Sequence, residues 1–245
     1  MKTVLKILII GISSLLLNSC EKNDSISKPK STSINKIMCL GASRVAGDKP
    51  NHESFRYELW KDLIENNWTF DFIGTQTDAA SYSMFNNRNF DIDHEGRSGY
   101  TSSQILNNIT NWIAVTGVPD IVLFSSPGGN DGLQNLPYQQ TISNIKAIVA
   151  LLQQANPTIT IVIEQLAPAR SDKMSVELTN YFNQLLEDVL IIASENTTTS
   201  SQVIAVDMFT NFTDNLLADD VHYNTAGANF IANRYYTLLK TILEK

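Results

Sequence analysis

The chain has 245 residues, of which 43% are hydrophobic and 18% charged, a composition that fits one globular domain with a sizeable core. Its formal net charge is −7, and the sequence has no cluster of basic residues. Because phosphate binding needs concentrated Lys and Arg, we expect no nucleic acid among its partners.

The N-terminus has the pattern of an export signal. Two lysines accompany an apolar stretch over residues 7–17, which is short for a membrane span. The stretch ends in LNSC at Cys20, which resembles the box of bacterial lipoproteins, where the cysteine is lipidated and becomes the first mature residue. We therefore expect a lipoprotein signal peptide over residues 1–19 and a membrane-anchored protein of the cell envelope. The alternative is an ordinary secretory signal with an incidental cysteine.

The residues after the signal predict a tether and then one domain. Residues 20–34 are rich in Lys, Ser, Asn and Asp and have no apolar period, which is typical of a flexible segment. The domain then covers residues 35–245. Only Cys20 and Cys39 are present, so an acylated Cys20 leaves Cys39 without a disulfide partner. Cys39 lies in an apolar run, and we interpret it as a small core residue.

The first predicted strand leads directly to a candidate nucleophile. The run Ile37–Leu40 is apolar, and Gly41 ends it. Ser43 follows between small residues, at the kind of position where the backbone of an α/β sheet approaches a ligand. The functional interpretation is that Ser43 is a nucleophile. The alternative is that it only caps a turn or a helix.

Helices and strands alternate along the rest of the chain. A long polar segment over residues 75–100 interrupts the pattern, and loops of this length in compact domains are usually functional. Five apolar strands with intervening helices imply a parallel sheet covered on both faces. We predict strands at about residues 37–40, 70–73, 120–125, 158–163 and 202–206, and helices at about 54–66, 101–113, 138–154, 174–194 and 225–243.

Polar residues follow several of these strands, and a histidine lies in the last loop. The chain has three histidines, and a serine hydrolase needs one as its general base. His222 has Asp219 three residues before it, a spacing that lets the carboxylate reach one imidazole nitrogen. The adjacent Asp220 is a competitor for that role. The alternative is a surface histidine that caps the last helix.

Four short blocks occur along the chain in this order: Gly41-Ala42-Ser43, Arg97-Ser98-Gly99-Tyr100-Thr101, Gly129-Asn130-Asp131 and Asp219-Asp220-Val221-His222. Together they resemble the blocks of the SGNH (GDSL-like) hydrolase family of esterases and lipases, over about residues 35–245. Three further stretches, Phe55–Trp60, Phe70–Gly74 and His94–Gly96, resemble the carbohydrate acetyl esterases of that family.

The resemblance implies a fold and a site. The fold would be a flavodoxin-like three-layer α/β sandwich around a five-stranded parallel sheet. The site would be a catalytic triad in which Ser43 attacks an ester, His222 is the base and Asp219 orients it. An oxyanion hole would be formed by the backbone N–H groups of Ser43 and Gly99 and by the side-chain amide of Asn130.

The function implied is a serine esterase that hydrolyses O-acyl esters, with acetyl on carbohydrate as the expected substrate. Its partners would be an acylated small molecule or polysaccharide and, through the lipid anchor, a membrane. No cofactor is expected, and no metal, since His94 and Glu95 have no third ligand at zinc-like spacing. The family usually has aspartate where this chain has Ala42, a loss that Arg44 would compensate. The alternatives are a lysophospholipase or thioesterase, and a non-catalytic glycan-binding lipoprotein on the same fold.

Overall fold

The structure is a computed structural model that describes residues 29–245. Cys20, the predicted signal peptide and most of the predicted tether therefore lie outside the described residues. Residues 29–34 form no helix or strand. Within the described part of the chain, no helix is both long and apolar enough to cross a membrane.

Seven strands and seven α-helices alternate along residues 36–239 of the described chain. The strands are β1 (Lys36–Gly41), β2 (Asp71–Phe72), β3 (Gln76–Thr77), β4 (Asp93–Gly96), β5 (Ile121–Phe124), β6 (Thr160–Gln165) and β7 (Gln202–Asp207). The helices are α1 (Ser43–Ala46), α2 (Arg56–Glu65), α3 (Ser102–Thr116), α4 (Gly129–Leu133), α5 (Tyr138–Ala155), α6 (Val176–Asn196) and α7 (Thr225–Leu239).

The strands form one sheet in the order β3-β4-β1-β5-β6-β7, with β2 also paired to β1. Every pairing is parallel except that of β3 with β4. The predicted α/β fold with a mainly parallel sheet is thus confirmed, but the predicted number of five strands is wrong, because the sheet has seven.

The two additional strands arise at one edge of β1. There β1 pairs first with β2, through Ile37 and Phe72, and then with β4, through Leu40 and Glu95. A single edge position is therefore shared by two short strands, and the short antiparallel β3 lies outside β4. Both β3 and β4 come from the polar segment that we expected to be a loop.

Helices cover both faces of the sheet, and the side chains of β1 point alternately to one face and the other. Ile37 and Cys39 are buried in a core shared with residues of α2 and α7. Met38 and Leu40 are buried in a second core shared with residues of α3, α5 and α6. Each fully buried Ile, Leu or Met side chain contributes about 1.5–3 kcal/mol to the hydrophobic stabilisation. Burial also raises the pKa of the Cys39 thiol to about 12, so this cysteine stays protonated in the core.

The carboxyl ends of the parallel strands place the predicted blocks on one edge. β1 ends just before Ser43, β4 ends just before Arg97, and β5 ends a few residues before Asn130. Since parallel strands point the same way, the loops that follow them meet at this edge of the sheet, where ligands bind in open α/β folds.

Candidate active site

Ser43 is the first residue of the short helix α1, immediately after β1. The turn is tight, since a Cβ atom on Gly41 would lie 2.8 Å from the carbonyl oxygen of Ser125. Only glycine fits a contact this close. The N-cap position of α1 belongs to Ala42, and the Ser43 hydroxyl is directed to another side chain.

Ser43, His222 and Asp219 form one continuous row of hydrogen bonds. The Ser43 Oγ atom lies 2.8 Å from Nε2 of His222, and Nδ1 of His222 lies 2.7 Å from Oδ2 of Asp219. With the proton on Nδ1, His222 donates to the carboxylate and accepts from the serine hydroxyl. The structure therefore brings together the three side chains singled out for the triad.

The loop backbone fixes the Asp219 carboxylate. Its Oδ1 atom accepts hydrogen bonds from the N–H groups of Val221 at 2.9 Å and His222 at 2.7 Å. Partial burial opposes ionisation, but these hydrogen bonds and the one from the His222 side chain outweigh it and lower the pKa of Asp219 to about 2. Asp219 is therefore ionised at neutral pH and faces the imidazole as a carboxylate.

The competing carboxylate, Asp220, is directed elsewhere. Its oxygens lie 3.8 Å from the Arg170 guanidinium and 3.6 Å from the Lys173 ammonium. Asp219 and not Asp220 thus makes the contact with His222.

Arg44 joins the loop of Ser43 to the loop of His222. Its buried guanidinium donates to the carbonyl of Val221 at 2.8 Å, to that of Ala167 at 2.7 Å and to that of Pro168 at 3.1 Å. Val221 directly precedes His222, so the neighbours of the two reacting side chains are bonded to each other. Arg44 was expected to support the loop of Ser43, where the chain has Ala42, and these hydrogen bonds hold that loop to its neighbours.

Of the predicted oxyanion residues, Asn130 lines a cavity together with Ser43 and is bonded to the residue after Gly99. Asn130 belongs to α4, a short helix where we expected a tight loop. Its Nδ2 atom donates to the Tyr100 carbonyl at 2.8 Å, which fixes the amide and leaves its second N–H free to bind elsewhere. Gly99 directly precedes Tyr100 and has φ +80°, a conformation that favours glycine. The oxyanion role of Ser43, Gly99 and Asn130 stays a prediction.

Two cavities of opposite character lie in this part of the molecule, one lined by Ser43 and Asn130 and the other by Ser98 and Tyr100, the neighbours of Gly99. One of about 40 Å³ is mainly apolar and is lined by residues that include Ser43, Asn130, Leu133, Leu166 and Phe182. The other, of about 510 Å³, is mostly polar and is lined by residues that include Asp48, Lys49, Gln76, Arg97 and Tyr100.

Two residues near this site make contacts that were not predicted from the sequence. The ring of His52 stacks on that of His222, with centroids 4.0 Å apart. Glu164 is fully buried below the site, where it accepts from the Ser126 N–H at 2.6 Å and from the Tyr235 hydroxyl at 2.6 Å. Glu164 could have been recognised from the sequence, because it is a carboxylate directly after a predicted buried strand. No feature of the sequence pointed to a role for His52.

His94 and Glu95 lie in β4 and belong to the interior. Nδ1 of His94 accepts from the Gly96 N–H at 3.0 Å, and Glu95 pairs with Arg97 at 2.9 Å. Burial, assisted by the charge of Arg56, lowers the pKa of His94 to about 3, so its ring is neutral. Among residues 29–245, no group of three His, Cys, Asp or Glu side chains is arranged to hold a metal ion.

Several solved structures with a similar fold are described as esterases. A carbohydrate esterase family 3 protein from Talaromyces cellulolyticus is 24% identical with a TM-score of 0.73, covering 85% of this chain and 98% of its own. An acetyl esterase mutant with bound acetate is 26% identical with a TM-score of 0.73 and the same coverage. A family 3 carbohydrate esterase from Clostridium thermocellum is 26% identical with a TM-score of 0.70, covering 86% of this chain and 100% of its own. A comparison with curated proteins finds no match.

The fold and the serine-bearing loop define a hydrolase with the SGNH fold. The family model described as GDSL-like Lipase/Acylhydrolase matches residues 39–229, and the chain belongs to this family. The protein is accordingly a carboxylic ester hydrolase, as the sequence predicted.

Proposed function

We propose that the protein is a serine esterase that removes O-acetyl groups from carbohydrate through a triad of Ser43, His222 and Asp219. The observation that carries the proposal is the row of hydrogen bonds from the Ser43 hydroxyl through His222 to the Asp219 carboxylate.

The geometry supports the following reaction. The Ser43 oxygen attacks the ester carbonyl as Nε2 of His222 takes its proton, and Asp219 stabilises the imidazolium. The tetrahedral oxyanion is bound by the N–H groups of Ser43 and Gly99 and by the Asn130 amide. His222 then gives the proton to the departing alcohol, which leaves an acetyl-serine. A water molecule that loses its proton to His222 attacks this ester, and His222 returns the proton to the departing Ser43 oxygen as acetic acid is released and ionises to acetate.

The small cavity beside Ser43 supports acetyl as the acyl group. Its volume of about 40 Å³ is small beside that of the polar cavity, about 510 Å³, and Leu133, Leu166 and Phe182 line it with apolar groups. Such a space suits the methyl group of an acetyl ester better than a long acyl chain. This argues against a lysophospholipase or thioesterase.

The polar cavity supports a carbohydrate as the alcohol. Its volume of about 510 Å³ is large enough for a sugar ring, and its lining offers the carboxylate of Asp48, the ammonium of Lys49 and the amide of Gln76 to hydroxyl groups. Two of the structures at 26% identity are described as an acetyl esterase and a family 3 carbohydrate esterase, which agrees with this substrate class.

The proposal is tested with p-nitrophenyl esters of increasing acyl length and with acetylated xylan. We expect kcat/KM to be highest for the acetyl ester and to fall steeply by butyryl, with acetate released from the polysaccharide. Ser43→Ala should remove both activities and Ser143→Ala, at an exposed position of α5, neither. Full activity in Ser43→Ala, or a preference for long chains, would contradict the proposal.

We also propose that the protein is anchored to a bacterial membrane through a lipid on Cys20. The support is the sequence pattern of a charged start, a short apolar stretch and a cysteine that closes it. A lipid chain adds about 0.8 kcal/mol of membrane affinity for each buried CH₂ group.

A further inference from the structure

A second histidine lies against the proposed general base. The rings of His52 and His222 are stacked, with centroids 4.0 Å apart and planes inclined by 11°. One face of the His222 ring is therefore covered by His52, while the edge of the ring is directed to Ser43 and Asp219.

The backbone fixes both rings in this arrangement. The N–H groups of Asp48 and His52 each donate to the other residue's carbonyl, both at 3.2 Å, which closes the loop before α2. The N–H of Glu53 then donates to the Tyr223 carbonyl at 2.9 Å. The residue after His52 is thus bonded to the residue after His222, so the stack follows from the pairing of two loops.

The His52 side chain contributes the face of its ring to the stack with His222. His52 is only 9% exposed, and within residues 29–245 no group forms a hydrogen bond with its buried Nδ1 atom. A buried nitrogen without a partner costs free energy. The ring of His222 is the aromatic ring that packs against this side chain.

We infer that His52 is a positioning residue that holds the His222 ring in the plane joining Ser43 to Asp219 and stabilises the imidazolium that forms there. The inference rests on the proposed function, since it assigns a role through His222. A cation is attracted to the face of an aromatic ring. Because the charge on His222 appears only as the proton moves, the interaction is stronger in the transition state and raises kcat more than it lowers KM.

The charges around His52 keep its ring neutral for this role. Burial lowers the pKa of His52, and the charge of His222 lowers it further, whereas Asp219 and Asp48 raise it less. When His222 takes the proton of Ser43, the ring stacked on it is therefore uncharged, and the two rings attract each other.

Three variants of His52 test whether the face of its ring or a polar contact supports His222. His52→Phe keeps an aromatic face and replaces the unpaired Nδ1 atom, so we expect a kcat within twofold of wild type. His52→Ala and His52→Gln remove the ring, and we expect kcat to fall about two- to tenfold, the range of one aromatic pair, with KM unchanged. The assay uses p-nitrophenyl acetate, with thermal midpoints recorded for every variant.

Asn51→Ala is the matched control, because this exposed residue of the same loop should leave kcat unchanged. A wild-type kcat in His52→Ala overturns the inference, as does activity kept by Gln but lost by a folded Phe variant. These outcomes presuppose that Ser43→Ala is inactive. If Ser43→Ala is fully active, the proposed function itself fails.

Discussion

At the scale of single residues, the guanidinium of Arg44 joins the two loops that carry Ser43 and His222. We expect Arg44→Ala to lower kcat by about 10²-fold or more, because the three carbonyls that it binds lose their donor and the Ser43–His222 contact loosens. The free energy of unfolding should fall by at least about 3 kcal/mol. Ester hydrolysis and denaturant unfolding measure the two effects.

Arg44→Lys and Arg88→Ala complete this comparison. The lysine variant keeps the charge but has one nitrogen in place of the planar fork, so it should recover only part of kcat. Arg88 is exposed, and its replacement should change neither quantity. Wild-type kcat in Arg44→Ala would show that the loops hold their geometry without this side chain.

The two neighbouring aspartates should behave differently. Asp219→Ala removes the carboxylate 2.7 Å from Nδ1 of His222, and we expect kcat to fall by about 10³–10⁴, somewhat less than in Ser43→Ala. Asp220→Ala loses only long contacts with Arg170 and Lys173 and should keep most activity. Steady-state kinetics of both variants decides, and an inactive Asp220→Ala beside an active Asp219→Ala would reverse the assignment.

The sequence predicted those parts of the site whose partners are close along the chain or carry a recognisable residue type. Asp219 and His222 are three residues apart, and Ser43 directly follows an apolar strand. A supporting role of Arg44 was expected, but its partner Ala167 lies far along the chain, as does His222 from His52, and nothing local in the sequence signals these pairings. Only the folded chain shows these supporting contacts.

At the scale of elements, β4 is the part of the fold that the sequence concealed. Its residues Asp93, His94 and Glu95 are buried but polar, so they form no apolar run. The Glu95 carboxylate instead accepts a hydrogen bond from the N–H of Thr75 at 2.8 Å and forms an ion pair with the Arg97 guanidinium at 2.9 Å. The apolar runs of β1 and β6 were predictable because buried apolar side chains need no hydrogen-bond partners.

The buried histidine of β4 should make stability depend on pH. Below about pH 6.5 the unfolded chain binds a proton at His94, whereas the folded chain binds it only near pH 3. The free energy of unfolding therefore falls with decreasing pH, and the contribution of this group approaches about 1.4 kcal/mol per unit once the unfolded histidine is fully protonated. Urea unfolding should show a fall of about 2 kcal/mol from this group between pH 7 and pH 5, reduced in His94→Gln.

The variant is suited to this comparison, since the Gln oxygen can also accept from the Gly96 N–H that His94 binds. The other histidines are unchanged in it, so the difference between the two slopes isolates His94. Equal slopes in wild type and variant would mean that His94 binds its proton similarly in both states.

At the scale of the whole molecule, the two cysteines allow a direct test of the anchor. We expect the wild-type protein to sediment with membranes and to incorporate a fatty-acid analogue in bacterial cells, and Cys20→Ser to do neither. Cys39→Ser is the control, because Cys39 is buried in the core and should not affect labelling. Labelling that survives Cys20→Ser would contradict lipidation at this residue.

The direction of β1 determines at which edge of the sheet the predicted tether joins the domain. The chain enters β1 at Lys36, at the amino edge of the sheet, and reaches Ser43 at the opposite edge, about 20 Å further on for six residues of strand. The chain therefore enters the sheet at the edge away from the site, and the predicted flexible tether would join this domain to a lipid on Cys20. Such a tether would let the catalytic edge turn toward polymers in the surrounding medium.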